Sequence, residues 1–382
     1  MKLRAVLVAC LMALHLPADA QGFQTWVADL GRRGVQVSAG IWELDTGKYV
    51  EGVQTDLPLV PASTTKAVST YAMLKTWKPD QVLETELWGD LKAGVVQGDL
   101  TIKGGGDPAL VNERIWMMAQ ALKERGVSRI EGRIRLDQSA FDDVVYHPDW
   151  ANTTRDTTPA ILPLAVNHNR DDRGRLSRDP ERLAEDTFTR IFREAGIPVL
   201  QAPSPSTVPP VKLLTWTSPP LRQLVSDINK FSNNFMTEML VKQFGGGTWP
   251  SGIRRIQDFY KGVLELKPEQ VAITDGSGLS KANRLSARTL AIVLRAAWHD
   301  FEVGPEYVAS LKTIGGEPWA LRIKDPNLAR RVRCKTGYLN EVHSVCGYLQ
   351  LPDGQRRVFA IVLNGPCRLE DVWDQVSRWA NP

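Results

Sequence analysis

Five residues with the chemistry of acyl transfer stand in three short groups along this sequence: Ser63 with Lys66, Ser232 with Asn234, and Lys335. Ser63 follows Pro61-Ala62 at the start of a segment with helical spacing, where unpaired backbone N–H groups and the helix dipole favour developing negative charge. Lys66 lies one turn further on the same face, so a neutral lysine amine there can accept the serine proton. Lysine ordinarily titrates near ~10.4, and bringing it to neutrality costs roughly 4 kcal/mol. Desolvation in a closed cleft beside a second cation, Lys335, is expected to supply that shift.

Ser232 falls in register with an apolar stripe of Leu221, Leu224, Val225, Ile228, Phe235 and Met239, on a helix expected over 219–244. A hydroxyl followed by the amides of Asn233 and Asn234 is costly on such a face unless a polar cleft supplies partners. In that cleft Ser232 can relay a proton to a leaving amine, and Asn234 can hold Lys66 and a substrate amide. A strand carrying Lys335-Thr336-Gly337 can take an extended peptide along its edge, with Gly337 allowing close approach. Lys335 and Thr336 then face the peptide's terminal carboxylate.

The elements that must position these groups read as an α+β fold. Helical spacing covers 23–33, a strand follows over 35–42, and Asp45-Thr46-Gly47 turns into Tyr49-Val50. The Ser63 helix carries Ala67, Tyr71 and Leu74 at helical intervals, with Pro79 past its end. From 80 to 215 short β-like runs such as Asp99–Lys103 and Arg133–Asp137 alternate with Gly- and Pro-containing turns. This stretch reads as an inserted, smaller, β-rich domain containing one helix over 180–195. Ala202–Pro210, with four prolines, reads as a linker back to the first domain. Gly245-Gly246-Gly247 ends the Ser232 helix, and 331–337, 342–349 and 358–363 read as three strands before a last helix over 369–380. The expected division is therefore 21–79 with 216–382 as the chemical domain and 80–215 as its insertion.

The chain has 382 residues, 43% hydrophobic and 24% charged, enough for a buried core. Its net charge of +4, scattered and without aromatic-interleaved basic tracts, gives no argument for nucleic-acid binding. Residues 1–20 combine Lys2 and Arg4, the apolar run Ala5–Leu16, and Ala18 and Ala20 before Gln21. They read as an export leader cleaved before Gln21, rather than as a short buried helix. Leu7-Val8-Ala9-Cys10 resembles a lipidation site, but its apolar lead is only Ala5–Ala9, so plain cleavage is preferred. No later run approaches the ~20 apolar residues that span a bilayer. Loss of Cys10 leaves Cys334, Cys346 and Cys367, an odd number for an oxidising compartment. His147, His168, His299 and His343 are isolated, and with no CxxC or HExxH no metal is expected.

Ser63-x-x-Lys66, Ser232-x-Asn234 and Lys335-Thr336-Gly337 match, in order, the S-x-x-K, S-x-N and K-T-G elements of penicillin-recognising serine enzymes. Taken singly, each has a bland reading: a capping serine with a surface lysine, an N-cap, a strand end. Two further stretches, Gly104–Leu110 (GGGDPAL) and Thr274–Arg284 (TDGSGLSKANR), sharpen the match. Together they resemble the class C low-molecular-mass penicillin-binding proteins, the D-alanyl-D-alanine carboxypeptidase/endopeptidase family, over nearly the whole mature chain.

That resemblance implies a penicillin-binding, β-lactamase-like domain, its antiparallel sheet flanked by helices. It implies an exported, periplasmic or otherwise extracytoplasmic enzyme acting on peptidoglycan stem peptides, without a cofactor and covalently inhibited by β-lactams. Carried over residue by residue, Ser63 is the nucleophile and Lys66 the base. Ser232 and Asn234 relay protons and position, Lys335 and Thr336 recognise the carboxylate, and the N–H groups of Ser63 and Tyr338 form the oxyanion hole. The chain departs from the family in having Asn233 where Asp is usual and Tyr338 where Thr or Ser commonly follows K-T-G. A third domain nested in the second is expected to be missing, because Asn167-His168-Asn169 leads within a dozen residues to Pro180. A hairpin centred near Asn340 would set Cys334 opposite Cys346, which is the basis for expecting a disulfide there. Two rival readings share these residues: a β-lactamase or esterase on the same fold, and a non-catalytic wall-binding protein.

Overall fold

The structure is a computed structural model that describes residues 18–201, 209–316 and 328–382. Residues 1–17 of the expected leader and 202–208 of the Pro-rich segment lie outside the described residues.

The chain begins with α1 (Ala18–Arg32), β1 (Gln36–Glu43), β2 (Tyr49–Val53) and α2 (Thr65–Trp77). A second group follows: β3 (Glu84–Lys92), β4 (Val95–Lys103), α3 (Asn112–Glu124), β5 (Arg129–Ile130), β6 (Ile134–Asp137), α4 (Asn152–Arg155), α5 (Pro180–Glu194) and β7 (Val211–Thr217). Helices then dominate, with α6 (Leu221–Phe231), α7 (Asn234–Phe244), α8 (Trp249–Leu264), α9 (Ala287–His299) and α10 (Gly304–Ser310). The chain closes with β8 (Lys312–Thr313), α11 (Leu328–Arg331), β9 (Val332–Leu339), β10 (Val342–Gln350), β11 (Arg356–Asn364) and α12 (Leu369–Ala380).

Six strands form an antiparallel sheet in the order β2-β1-β11-β10-β9-β8. Central β11 is apolar at every position from Val358 to Leu363, because both of its faces are covered. Val358, Ala360 and Val362 join a core with α2 and α6 to α9 on one side, while Phe359, Ile361 and Leu363 join α1 and α12 on the other. The expected α+β class, with an antiparallel sheet flanked by helices, is therefore what the chain adopts.

The second sheet runs β5-β4-β3-β7 with β6 on β4, and packs its own core against α3 and α5. The strand after the Pro-rich segment pairs with β3, Glu84 opposite Thr217, so the chain completes this second sheet before it returns. Phe141, Trp150 and Ile161, from the same stretch of sequence, bury themselves in the first core. The Gly104–Gly106 run is a joint between strands, where a Cβ on Gly105 would lie 1.8 Å from the Glu84 carbonyl oxygen and one on Gly104 2.5 Å from Leu164.

Two local expectations are corrected. The 219–244 helix is broken: α6 ends at Phe231, Ser232 turns left-handed at φ +54°, and the Asn233 side chain caps α7 by accepting the Met236 N–H at 3.0 Å. The amide-rich sequence competes with the helical ladder at this point and wins. Cys334 and Cys346 are not joined in a disulfide, and both are buried. The β9–β10 turn sets Val342 opposite Leu339, which places Cys346 opposite Lys335 and Cys334 opposite Gly347. A one-residue slip from the expected register sends the two thiols to opposite faces of the sheet, Cys334 into the α1/α12 core and Cys346 into the helical core.

Candidate active site

Ser63 sits in a single 3-10 turn, Ala62–Thr64, that feeds α2. Two glycines press backbone against this turn. A Cβ on Gly278 would meet the Ala62 carbonyl oxygen at 1.8 Å, and one on Gly337 would lie 2.9 Å from the Ser63 amide nitrogen. Ala62 itself is held at φ +49°, a conformation that costs a non-glycine residue about 1–3 kcal/mol and persists only where the surroundings impose it. β9 is thereby fixed against the Ser63 turn, with Tyr338 next in sequence.

Helix α2 has almost no solvent-facing side, with every side chain from Thr65 to Leu74 buried, so Lys66 points into protein at 0% exposure. Its Nζ donates to Ser63 Oγ at 3.1 Å, Asn234 Oδ1 at 2.6 Å and the Ser277 carbonyl at 2.6 Å. Burial lowers its pKa to about 7, against the opposing pull of Glu238 and Asp275. The expected shift is present, but desolvation leads it. The Lys66–Lys335 repulsion enters instead on Lys335, which burial first and Lys66 second hold well below the ordinary lysine range.

Lys335 Nζ donates to Ser232 Oγ at 3.0 Å and to the Thr336 carbonyl at 2.7 Å. The break between α6 and α7 makes this possible: the left-handed turn swings Ser232 out of the helical stripe while Asn234, two residues on, opens α7 and reaches Lys66. Ser63, Ser232, Asn234, Thr336, Gly337 and Tyr338 line one cleft of about 490 Å³, with Lys66 and Lys335 buried at 0% exposure behind it. Every sequence-selected site residue is therefore brought together. His343, which the sequence left as an isolated polar histidine, also lines the cleft and meets the Tyr338 ring edge-on, centroids 5.0 Å apart.

A third wall comes from the Thr274–Arg284 loop. Asp275 clamps it: Oδ1 accepts from the Gly278 N–H (2.8 Å) and Asn283 Nδ2 (2.7 Å), while Oδ2 accepts from the Ser280 N–H (2.7 Å) and Trp150 Nε1 (2.8 Å). Buried Glu238 accepts from the Ser277 N–H at 2.6 Å and from Trp249 Nε1 at 2.8 Å. Burial raises the Glu238 carboxyl to about 7. Sequence reasoning marked this loop as glycine-rich but not its carboxylates. The available signal was Glu238, one charge within the apolar run of α7, where an acid is retained only with partners.

A sequence profile described as the D-Ala-D-Ala carboxypeptidase 3 (S13) family matches residues 21–171 and 160–381. A carboxypeptidase of Mycobacterium tuberculosis is 26% identical over 377 residues, 88% of this chain and 77% of its own length. A D-alanyl-D-alanine carboxypeptidase of an Actinomadura species is 26% identical over 403 residues, 80% of this chain and 73% of that one. Among solved structures, penicillin-binding protein 4 of Haemophilus influenzae superposes with a TM-score of 0.77 at 17% identity, covering 93% of this chain and 99% of that one. The fold is shared with that structure, and the matched profile spans the nucleophile's turn, the α6–α7 break and the β9 edge alike. The chain belongs to the D-Ala-D-Ala carboxypeptidase 3 (S13) family.

Proposed function

We propose that this chain is a serine D,D-peptidase that cleaves D-alanyl-D-alanine-type bonds of peptidoglycan peptides through an acyl-enzyme at Ser63, and that penicillins acylate the same oxygen. The observation that carries this reading is the 3.1 Å contact between Lys66 Nζ and Ser63 Oγ, made by an amine whose pKa burial has brought to about 7. Near neutral pH a substantial fraction of Lys66 is uncharged and can take the serine proton.

Each neighbour then has a step. Ser63 Oγ attacks the carbonyl carbon, and the N–H groups of Ser63 and Tyr338 receive the oxyanion. Lys335 donates to Ser232, so the Ser232 hydroxyl points its own hydrogen elsewhere and passes a proton to the leaving amine nitrogen as the C–N bond breaks. The proton that Lys66 takes from Ser63 passes on to Ser232 as Ser232 gives up its own, so acylation ends with Lys66 neutral again, held in place by Asn234 and the Ser277 carbonyl. Thr336 with Lys335 faces the terminal carboxylate. Water then attacks the ester carbonyl, neutral Lys66 takes its proton and returns it to Ser63 Oγ as the ester C–O bond breaks, and the free enzyme is restored. In a β-lactam the leaving nitrogen stays tethered after ring opening, which impedes the water and prolongs the adduct.

Residues 21–79 and 216–382 carry this chemistry on the proposed division, with 80–215 as an insertion. The leader over residues 1–20 supports export to the periplasm, where the substrate lies. Incubation with an N-acyl peptide ending D-Ala-D-Ala tests the activity: free D-alanine should appear, the L-alanine-terminated peptide should stay intact, and Ser63→Ala should abolish release. Undiminished release by Ser63→Ala would refute the reading.

A further inference from the structure

The cleft does not stop at the reacting groups. Past Thr336 it runs into a recess walled by Tyr338, His343, Leu369, Val372 and Trp373. Side chains alternate along a strand, and on β9 Lys335 faces the helical layer with its partner Cys346, whereas Cys334, Thr336 and Tyr338 face α12. The recess therefore opens on the same side of β9 as the Thr336 hydroxyl. Among the described residues β8 pairs with Arg333 and Cys334 and with no later residue of β9.

A peptide whose terminal carboxylate lies against the Thr336 hydroxyl, with Lys335 buried behind the strand, turns the side chain of its last residue toward this recess. The whole cleft, about 490 Å³, is in the range that holds drug-sized ligands, and its far end is walled by Leu369, Val372 and Trp373, so a side chain longer than a methyl has apolar surface to meet there. Among the described residues no Lys, Arg, Asp or Glu lines it. His343 is held below its ordinary range by burial, so it offers a neutral imidazole at pH 7. Asp371 on the same helix is engaged by Arg33 at 2.8 Å and by the Arg368 N–H at 2.7 Å. An ionic side chain entering here loses water and meets no charged group among the described lining residues, Asp371 being paired with Arg33 and Glu370 acting on His343 only through space, while an aliphatic or aromatic one buries apolar area against Leu369 and Val372. Tyr338, 70% exposed, presents a ring for it to stack on.

We propose that this recess is a leaving-group subsite that takes the C-terminal residue of the substrate and prefers a D-residue with an uncharged aliphatic or aromatic side chain over D-alanine and over charged residues. The inference rests on the D,D-peptidase reading. The bond broken is the same peptide C–N bond, water is the co-reactant, and the product released is the free bulky D-amino acid.

The test measures kcat/KM for N-acyl peptides ending D-Ala-D-Ala, D-Ala-D-Leu, D-Ala-D-Phe, D-Ala-D-Lys and D-Ala-D-Glu, with penicillin-adduct stoichiometry recorded on the same full-chain preparation. The D-Leu and D-Phe ends should be released about fivefold faster than D-Ala and about tenfold faster than D-Lys or D-Glu, as differences of a few methylenes allow. Leu369→Arg should raise the D-Glu to D-Leu ratio about tenfold. Should that variant fail to fold, Tyr338→Thr, which keeps the backbone N–H, should lower the D-Phe to D-Ala ratio about fivefold. Full adduct stoichiometry with flat rates, with D-Ala or a charged end preferred, or with ratios unmoved by the substitution overturns the subsite and leaves the peptidase reading standing. No adduct and no cleavage of any peptide overturns the peptidase reading and the subsite with it.

Discussion

Glu238 holds Ser277 by its amide at 2.6 Å, while the Ser277 carbonyl, on the far side of the same residue, receives Lys66 Nζ at 2.6 Å. A buried carboxylate thus positions Lys66, the proposed general base, through one peptide unit, and its charge also raises the Lys66 pKa against the lowering by burial.

Glu238→Gln tests both effects. A neutral amide has one acceptor oxygen for three buried donors, Ser277 N–H, Gly276 N–H and Trp249 Nε1–H, so it should destabilise the protein by about 1–3 kcal/mol. Loss of the negative charge removes an upward pull on Lys66. The rising limb of the penicillin-acylation rate, expected near pH 7 in the native enzyme, should therefore move to lower pH. A purely structural role would reduce the rate without moving the limb.

Lys66 also leaves a signature in stability. Its ordinary value is 10.5 and its folded value about 7, so between these the unfolded chain binds more protons and stability rises with pH. The destabilisation is complete below about 7 and is relieved as pH climbs toward 10.5. Lys66→Met should remove this contribution: the Tm difference between variant and native should shrink from pH 7 to pH 10, while acylation falls by about 10³-fold or more. A pH-independent Tm difference would contradict the shift.

Most of the site was legible because its residues are chemically expensive. A serine opening a helix, a lysine one turn on, and a hydroxyl-amide group within an apolar stripe each require a partner, and the partners are one another. The α6–α7 break at Ser232 was hidden because the apolar spacing runs unbroken from Leu221 to Met239, so only the local amides signal the turn. The Cys334–Cys346 error has a different cause: a one-residue uncertainty in turn length reverses every side chain of a hairpin. Glu238 and Asp275 were missed because their partners are backbone N–H groups of a distant loop, which composition does not reveal.

Ser232 separates strain from chemistry. Its left-handed backbone at φ +54° suits glycine, so Ser232→Gly should be more stable than Ser232→Ala by about 0.5–1 kcal/mol. Both lose the hydroxyl that Lys335 contacts at 3.0 Å, and both should lose about 10²-fold or more in peptide hydrolysis. Chemical denaturation and steady-state rates on the two variants would check this, and equal stability would argue against the strain.

Gly337 is the contact between β9 and the nucleophile's turn. A Cβ there would stand 2.3 Å from Ser344 Oγ and 2.9 Å from both Pro61 O and Ser63 N. Gly337→Ala should push the strand away and misplace the oxyanion donors, lowering kcat by about 10²–10³-fold with a smaller change in KM. A rate within twofold of native would show that the two backbones are not in contact.

The sheet register predicts that Cys334 and Cys346 are not joined in a disulfide. Without reductant, the denatured mature chain should titrate three thiols, Cys334, Cys346 and Cys367, and the native protein should react slowly because two of them are fully buried. A count of one would restore the disulfide.

The most direct measurement is high-resolution mass spectrometry of the protein after brief exposure to benzylpenicillin, followed by digestion. One penicilloyl group per chain, located on Ser63 and lost in Ser63→Ala, is the predicted result. An adduct on any other residue, or its persistence in Ser63→Ala, would contradict acylation at this serine.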